Sequence, residues 1–149
     1  MSRPALLDVN VLVALFRPEH VHHELAHDWF ADHHDNGWAT CPLTENGFVR
    51  VLSAPNKDSP PLRATELVDR LRTFCKSANH VFWPDAPSIR DAALFNQAFM
   101  RGHQQLTDIY LLGLATKMNG TLATFDRTIP VASVVGATRA TLSVISAAE

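Results

Sequence analysis

Asp8, Glu45, Asp108 and Asp126 are placed unlike the other acids of the chain. Asp8 follows the apolar run Ala5-Leu6-Leu7, and Asp126 follows Thr121-Leu122-Ala123-Thr124-Phe125. Each abuts a segment expected to be a buried strand, where an unpaired charge is costly. Glu45 falls in the first turn of a helix expected after a strand over residues 38–41, and Asp108 opens the most apolar helix of the chain. In an open parallel sheet, ligands bind outside the carboxyl ends of the strands. Asp8, Glu45 and Asp126 map to that edge, and Asp108 reaches it from a helix N-terminus. Four carboxylates in one crevice repel, so some take up protons or a divalent cation binds among them. An all-oxygen site suits Mg²⁺ or Mn²⁺. Such an ion can generate a hydroxide nucleophile and stabilise charge on a phosphodiester; two ions about 3.5–4 Å apart do both. The chemistry implied is metal-dependent cleavage of nucleic acid. Each acid also has a plainer role open to it: Thr107 or Asp108 as a helix cap, Glu45 as a partner of a helix dipole. Asp28, Asp32, Asp35, Asp58, Glu66 and Asp69 fall on polar helix faces or in loops, where solvation accounts for them.

The elements that must hold these acids alternate between strand and helix. A helical pattern covers residues 20–34, with Val21, Leu25, Trp29 and Phe30 on one side, and Asp35-Asn36-Gly37 stops it. After the strand at 38–41, Pro42 suits a first helical turn, with Phe48, Val51 and Leu52 at helical spacing. Residues 54–61 (APNKDSPP) form the clearest loop, and residues 62–77 are amphipathic. Val81-Phe82-Trp83 is a strand ended by Pro84. Ser88 with Asp91 resembles a capping box for a helix running to about Arg101. Residues 106–118 are apolar nearly all round, which predicts a buried central helix ended by Asn119-Gly120. Strands follow at 121–125 and 140–145. The alternation predicts an α/β layer fold with a mainly parallel sheet.

Composition bounds the rest. The chain has 149 residues, 46% hydrophobic and 19% charged, with a net charge of −2. One globular domain follows, and collagen, coiled coil and disorder are excluded. The charge excludes a histone-like polycation, so nucleic-acid contact must come from a local patch or a bound metal. Arg50, Arg90, Arg101 and Arg127 are candidate phosphate contacts. Cys41 and Cys75 both sit in apolar surroundings, as expected of reduced, buried thiols in a cytoplasmic protein. The longest apolar run, residues 11–16, is far short of the roughly 20 residues that span a bilayer, so no membrane partner is expected.

At the four acids the chain resembles the PIN-domain nucleases. Leu6-Leu7-Asp8-Val9-Asn10-Val11-Leu12 resembles their opening signature, and Leu43-Thr44-Glu45-Asn46-Gly47-Phe48 their second acid. Leu106-Thr107-Asp108-Ile109-Tyr110-Leu111-Leu112 and Ala123-Thr124-Phe125-Asp126-Arg127 resemble the third and fourth. The likeness is nearest to VapC-type toxins, the ribonuclease partners of bacterial toxin–antitoxin pairs. It implies a single PIN-like domain over residues 1–149, a three-layer α/β/α fold and a five-stranded, mainly parallel sheet. It further implies Mg²⁺- or Mn²⁺-dependent cleavage of RNA, a homodimer and a cognate antitoxin that occludes the site. On this resemblance Asp8, Glu45, Asp108 and Asp126 are the metal-binding acids, and Asn10, Thr107 and Thr124 are polar supports. The loop at 54–61 and its flanking helices are candidates for a dimer or antitoxin surface.

A rival motif points to other chemistry. His23-Glu24-Leu25-Ala26-His27 matches the H-E-x-x-H helix of zinc metallopeptidases, and His33 falls at the third-ligand position of its extended form. The glycine of that pattern is Phe30 here, so nothing breaks the helix. Six further helical residues at about 100° each turn His33 roughly 120° away from His27. A polar helix face is the expectation. A third possibility is a non-catalytic module that keeps the PIN-like fold; the four acids argue against it.

Overall fold

The computed structural model describes residues 3–57 and 60–147. Five short strands form one all-parallel sheet: β1 (Ala5–Leu7), β2 (Trp38–Thr40), β3 (His80–Phe82), β4 (Thr121–Thr124) and β5 (Leu142–Val144). Their order is β3-β2-β1-β4-β5. The main helices are α1 (Val9–Phe16), α2 (His23–His33), α3 (Pro42–Ser53), α4 (Ala64–Phe74) and α5 (Leu106–Lys117). β1 and β2 are buried along their whole length, as strands covered on both faces must be. Successive β1 side chains enter different cores. Leu7 packs with Leu12, Phe48, Leu67 and Ala123 on the side of α1, α3 and α4. Leu6 packs with Ala39, Leu122, Ile109 and Leu112 on the side of α5. The result is the three-layer α/β/α arrangement that the alternation and the resemblance imply.

Two glycines set how closely layers approach. A Cβ on Gly47 of α3 would lie 2.7 Å from a Val9 methyl, so α3 packs directly on the first turn of α1. A Cβ on Gly113 of α5 would meet the Phe95 ring.

Three local expectations need correction. Residues 11–16 belong to a helix, α1, which the sequence reading did not assign. Asp8 is its N-cap and accepts the Val9 N–H at 2.7 Å. The helix expected from Ser88 to about Arg101 is absent. Ser88 Oγ accepts the Arg90 N–H and Asp91 Oδ1 the Ala93 N–H, local bonds that compete with helix. Phe95 instead makes an antiparallel bridge to Val134, with Val135 N–H on Leu94 O and Asn96 N–H on Ser133 O. The only regular piece described there is a 3₁₀ turn at Gln97–Phe99. Cys75, expected to be buried, is half-buried, whereas Cys41 is fully so. No helix among the described residues is long and apolar enough to cross a membrane. Of the loop at 54–61, residues 58 and 59 lie outside the described residues.

Candidate active site

From β1 the chain progresses outward through β2 to β3, then crosses back to β4 and β5. β1 and β4 therefore flank the switch point, where an open α/β sheet leaves a crevice at its carboxyl edge. Asp8 leaves the end of β1 there, and Thr124 ends β4. The register Leu7–Ala123 sets the two ends side by side, and Asp8 N–H bonds Ala123 O at 3.0 Å.

Thr124 is fully buried and joins two acids. Its hydroxyl donates to Asp8 Oδ2 at 2.9 Å and accepts the Asp126 N–H at 3.1 Å. Asp8 is 6% exposed; burial raises its pKa, against the Thr124 and Val9 bonds, and Asp126 raises it further. Asp126 behaves oppositely. Thr128 donates both its hydroxyl, at 2.6 Å, and its N–H, at 2.8 Å, to Asp126 Oδ1. The Thr128 hydroxyl bond holds the Asp126 carboxyl below its usual range. Gln105 donates to the Thr128 hydroxyl at 3.0 Å, tying the start of α5 to this loop.

Asp108 lies in the first turn of α5, and its carboxylate makes no hydrogen bond among the described residues. Burial, then the charges of Asp8 and Asp126, push its carboxyl up to about 7. Neither Asp108 nor Thr107 caps α5; Gln105 occupies the N-cap without a side-chain bond. Thus the charges of Asp8 and Asp126 reach Asp108, and that of Asp126 reaches Asp8. Their oxygens do not form a single compact donor set: among the described residues only Glu45, Cys75 and His80 bring three potential metal donors all within 4.8 Å.

Glu45 is one strand away. It stands in the first turn of α3, where Thr40, the last residue of β2, donates its hydroxyl to Oε2 at 2.7 Å. It is not among the charges that displace Asp8, Asp108 or Asp126. Asn10 and Thr107 are exposed, and neither bonds a carboxylate among the described residues.

Sequence reading passed over Thr40, Cys75, His80, Gln105 and Thr128. Thr40 had a signal, because β2 and β4 both end in Ala-Thr beside a functional carboxylate candidate. Cys75 and His80 lie five residues apart, but only tertiary packing brings them to Glu45, as it brings Gln105 to Thr128.

The H-E-x-x-H helix is otherwise engaged. His23 Nδ1 lies 2.7 Å from Ala14 O and His27 Nε2 2.7 Å from Leu15 O, the last carbonyls of α1. Helix ends leave such carbonyls unpaired, and the two rings satisfy them. His33 turns back onto Trp29 O at 2.8 Å and stacks on the Trp29 ring. The three histidines form no common donor set.

The PIN domain family model matches residues 5–134. The chain belongs to the PIN-domain family. Ribonuclease VapC44 of Mycobacterium tuberculosis is 40% identical over 141 residues, covering 95% of this chain and 99% of that protein. Ribonuclease VapC39 of the same organism is 39% identical over 122 residues, 82% of this chain and 88% of that protein. Ribonuclease VapC29, also from that organism, is 43% identical over 121 residues, 81% and 84% of the two chains.

Proposed function

We propose that the chain is a divalent-cation-dependent endoribonuclease, the toxin of a toxin–antitoxin pair, with Asp8, Glu45, Asp108 and Asp126 as its metal-binding acids. The observation that carries this is Asp108, a half-buried carboxyl with no hydrogen-bond donor among the described residues, pushed up by burial and by the charges of Asp8 and Asp126. A cation relieves that repulsion. The all-oxygen donor set fits Mg²⁺ or Mn²⁺. Its loose spacing fits too, because Mg²⁺ keeps several waters and uses one or two carboxylates directly. When bound, such an ion neutralises phosphate charge and acidifies an attacking water.

The chain's own residues do the positioning. Val9 N–H and Thr124 Oγ1 each take one oxygen of Asp8, so its carboxylate cannot rotate. Thr128 takes Oδ1 of Asp126 with two bonds, and Gln105 also stabilises the charged carboxyl. Asp108 accepts a proton near neutrality when no cation is present. Arg50, Arg90, Arg101 and Arg127 are exposed and form no ion pair among the described residues, leaving them available for RNA phosphates. Asn10 and Thr107, exposed at the first turns of α1 and α5, support water or substrate rather than a carboxylate.

The cognate antitoxin and a second copy of the chain are the protein partners of this reading. A groove of about 250 Å³ lined by Phe16, Arg17, Pro18, Glu19, Pro60, Leu62 and Arg70 lies beside the 54–61 loop and is the surface proposed for one of them. Deleting residues 55–61 should weaken dimerisation or antitoxin binding.

Purified protein should cut total cellular RNA into discrete fragments with Mg²⁺ or Mn²⁺. Fragments should vanish with EDTA and in Asp8→Asn and persist in Glu24→Gln. Peptide hydrolysis lost in Glu24→Gln, with no RNA cleavage by any form, would move the function to the His23/His27 helix.

A further inference from the structure

The Thr40 corner differs chemically from the acid crevice. Glu45 comes from α3, Cys75 directly follows α4, and His80 opens β3. The α4–β3 connection and the distant first turn of α3 thus deliver a thiol, an imidazole and a carboxylate whose donor atoms all lie within 4.8 Å. Thr40 stands among them. Its hydroxyl donates to Glu45 Oε2 at 2.7 Å, so the 2.8 Å contact with His80 Nε2 has the ring donating. Cys75 is within hydrogen-bonding reach of the same hydroxyl. All three groups are half-buried, desolvated enough to bind firmly and open enough to be reached.

We propose that Glu45, Cys75 and His80 form a second cation site, selective for a borderline-soft transition metal such as Zn²⁺, and that filling it withdraws Glu45 from the Mg²⁺-dependent crevice.

Donor type decides the metal. Thiolate and imidazole favour Zn²⁺ and its neighbours, whereas Mg²⁺ takes oxygen. Bond lengths of about 2.0–2.3 Å set neighbouring donors of a tetrahedral ion about 3.3–3.7 Å apart. The three groups therefore draw in by roughly 1 Å or less on binding, within the reach of side-chain adjustment. The cation replaces the Thr40 hydroxyl as the atom that Glu45 and His80 share. The thiol proton passes to water, because the ion deprotonates its sulfur ligand, and the His80 ring shifts its proton from Nε2 to Nδ1 so that Nε2 offers its lone pair. Three protein ligands leave a fourth position for water. With its charge neutralised on the β2–β3 side, Glu45 no longer serves the crevice at β1 and β4. This consequence rests on the nuclease reading; the site itself does not.

Co²⁺ titrated into the reduced protein tests the site. A thiolate-to-cobalt charge-transfer absorption should grow and saturate near one ion per chain, and both Cys75→Ser and His80→Gln should abolish it. Equimolar Zn²⁺ added to the Mg²⁺-supported RNA assay should lower cleavage by about 10-fold or more in the wild type, and by less than about 2-fold in Cys75→Ser. Cys75→Ser alone should cleave RNA like the wild type. No charge-transfer band, or a band that survives in Cys75→Ser and so belongs to Cys41, would overturn the site. Equal Zn²⁺ inhibition of both proteins would overturn the withdrawal of Glu45. A protein that cuts no RNA yet shows the Cys75-dependent band would sink the nuclease reading and leave the site standing.

Discussion

Thr124 and Thr40 hold matching places. Each is the last residue of its strand, each follows an alanine, each is fully buried, and each donates its hydroxyl to a carboxylate. Their surroundings differ. Around Thr124 every functional atom is oxygen, and acids gather because β1 and β4 end side by side at the switch point. Around Thr40 the neighbouring elements bring nitrogen and sulfur beside a single acid. One local device, a strand-end hydroxyl anchoring a carboxylate, thus serves two kinds of site. The elements packed beside it decide which cation each attracts.

The largest effect that would sharpen this contrast is expected from Asp8→Asn, which removes the charge but keeps the shape. RNA cleavage with Mg²⁺ should fall about 100-fold or more. Thr124→Val should follow, with a loss of about 10–100-fold in cleavage, because Asp8 Oδ2 and the Asp126 N–H both lose a partner. Thr40→Val, measured in the same assay, should cost less than about 10-fold, since of the four acids only Glu45 loses a partner. Equal losses from the two threonine variants would break the comparison.

A smaller effect should appear in melting temperature. Asp108 has its carboxyl raised from 3.8 to about 7. The cost of its charge is absent below its unfolded value and fully felt above its folded one, so this group destabilises the metal-free fold progressively as pH rises from about 4 to about 7, with no further change above. Metal-free protein should melt at a higher temperature at about pH 6 than at about pH 8 as far as Asp108 governs it. Asp108→Asn or saturating Mg²⁺ should flatten that dependence. The smallest effect is expected from Glu24→Gln, an exposed residue on α2 outside both corners, which should leave cleavage within about 2-fold of wild type.

Much of this contrast was legible in the residues. Asp8 and Asp126 advertise themselves because a charge directly after a buried strand is expensive, and Thr124 lies two residues before Asp126. The strand-helix alternation gave the layers. α1 escaped because a short, wholly apolar run has no polar face to reveal a helical period, and five of its eight residues are indeed buried: Val11, Leu12, Val13, Ala14 and Leu15. The 88–101 helix was misjudged because Ser88 and Asp91 fit a capping pattern but bond two residues onward, while Phe95 finds a partner in Val134. The histidines of α2 mimic a metal motif because spacing alone does not show that their ring nitrogens face the end of α1. The Thr40 corner was illegible for the complementary reason: Cys75 and His80 flank one short connection, but only packing brings them to Glu45 on α3.

A titration of Mn²⁺ followed by electron paramagnetic resonance tests the central claim most directly. Wild type and His23→Gln should bind Mn²⁺ alike, and Asp8→Asn should lose most of that binding. Unchanged binding in Asp8→Asn, or its loss in His23→Gln, would contradict a cation site at the β1–β4 switch point.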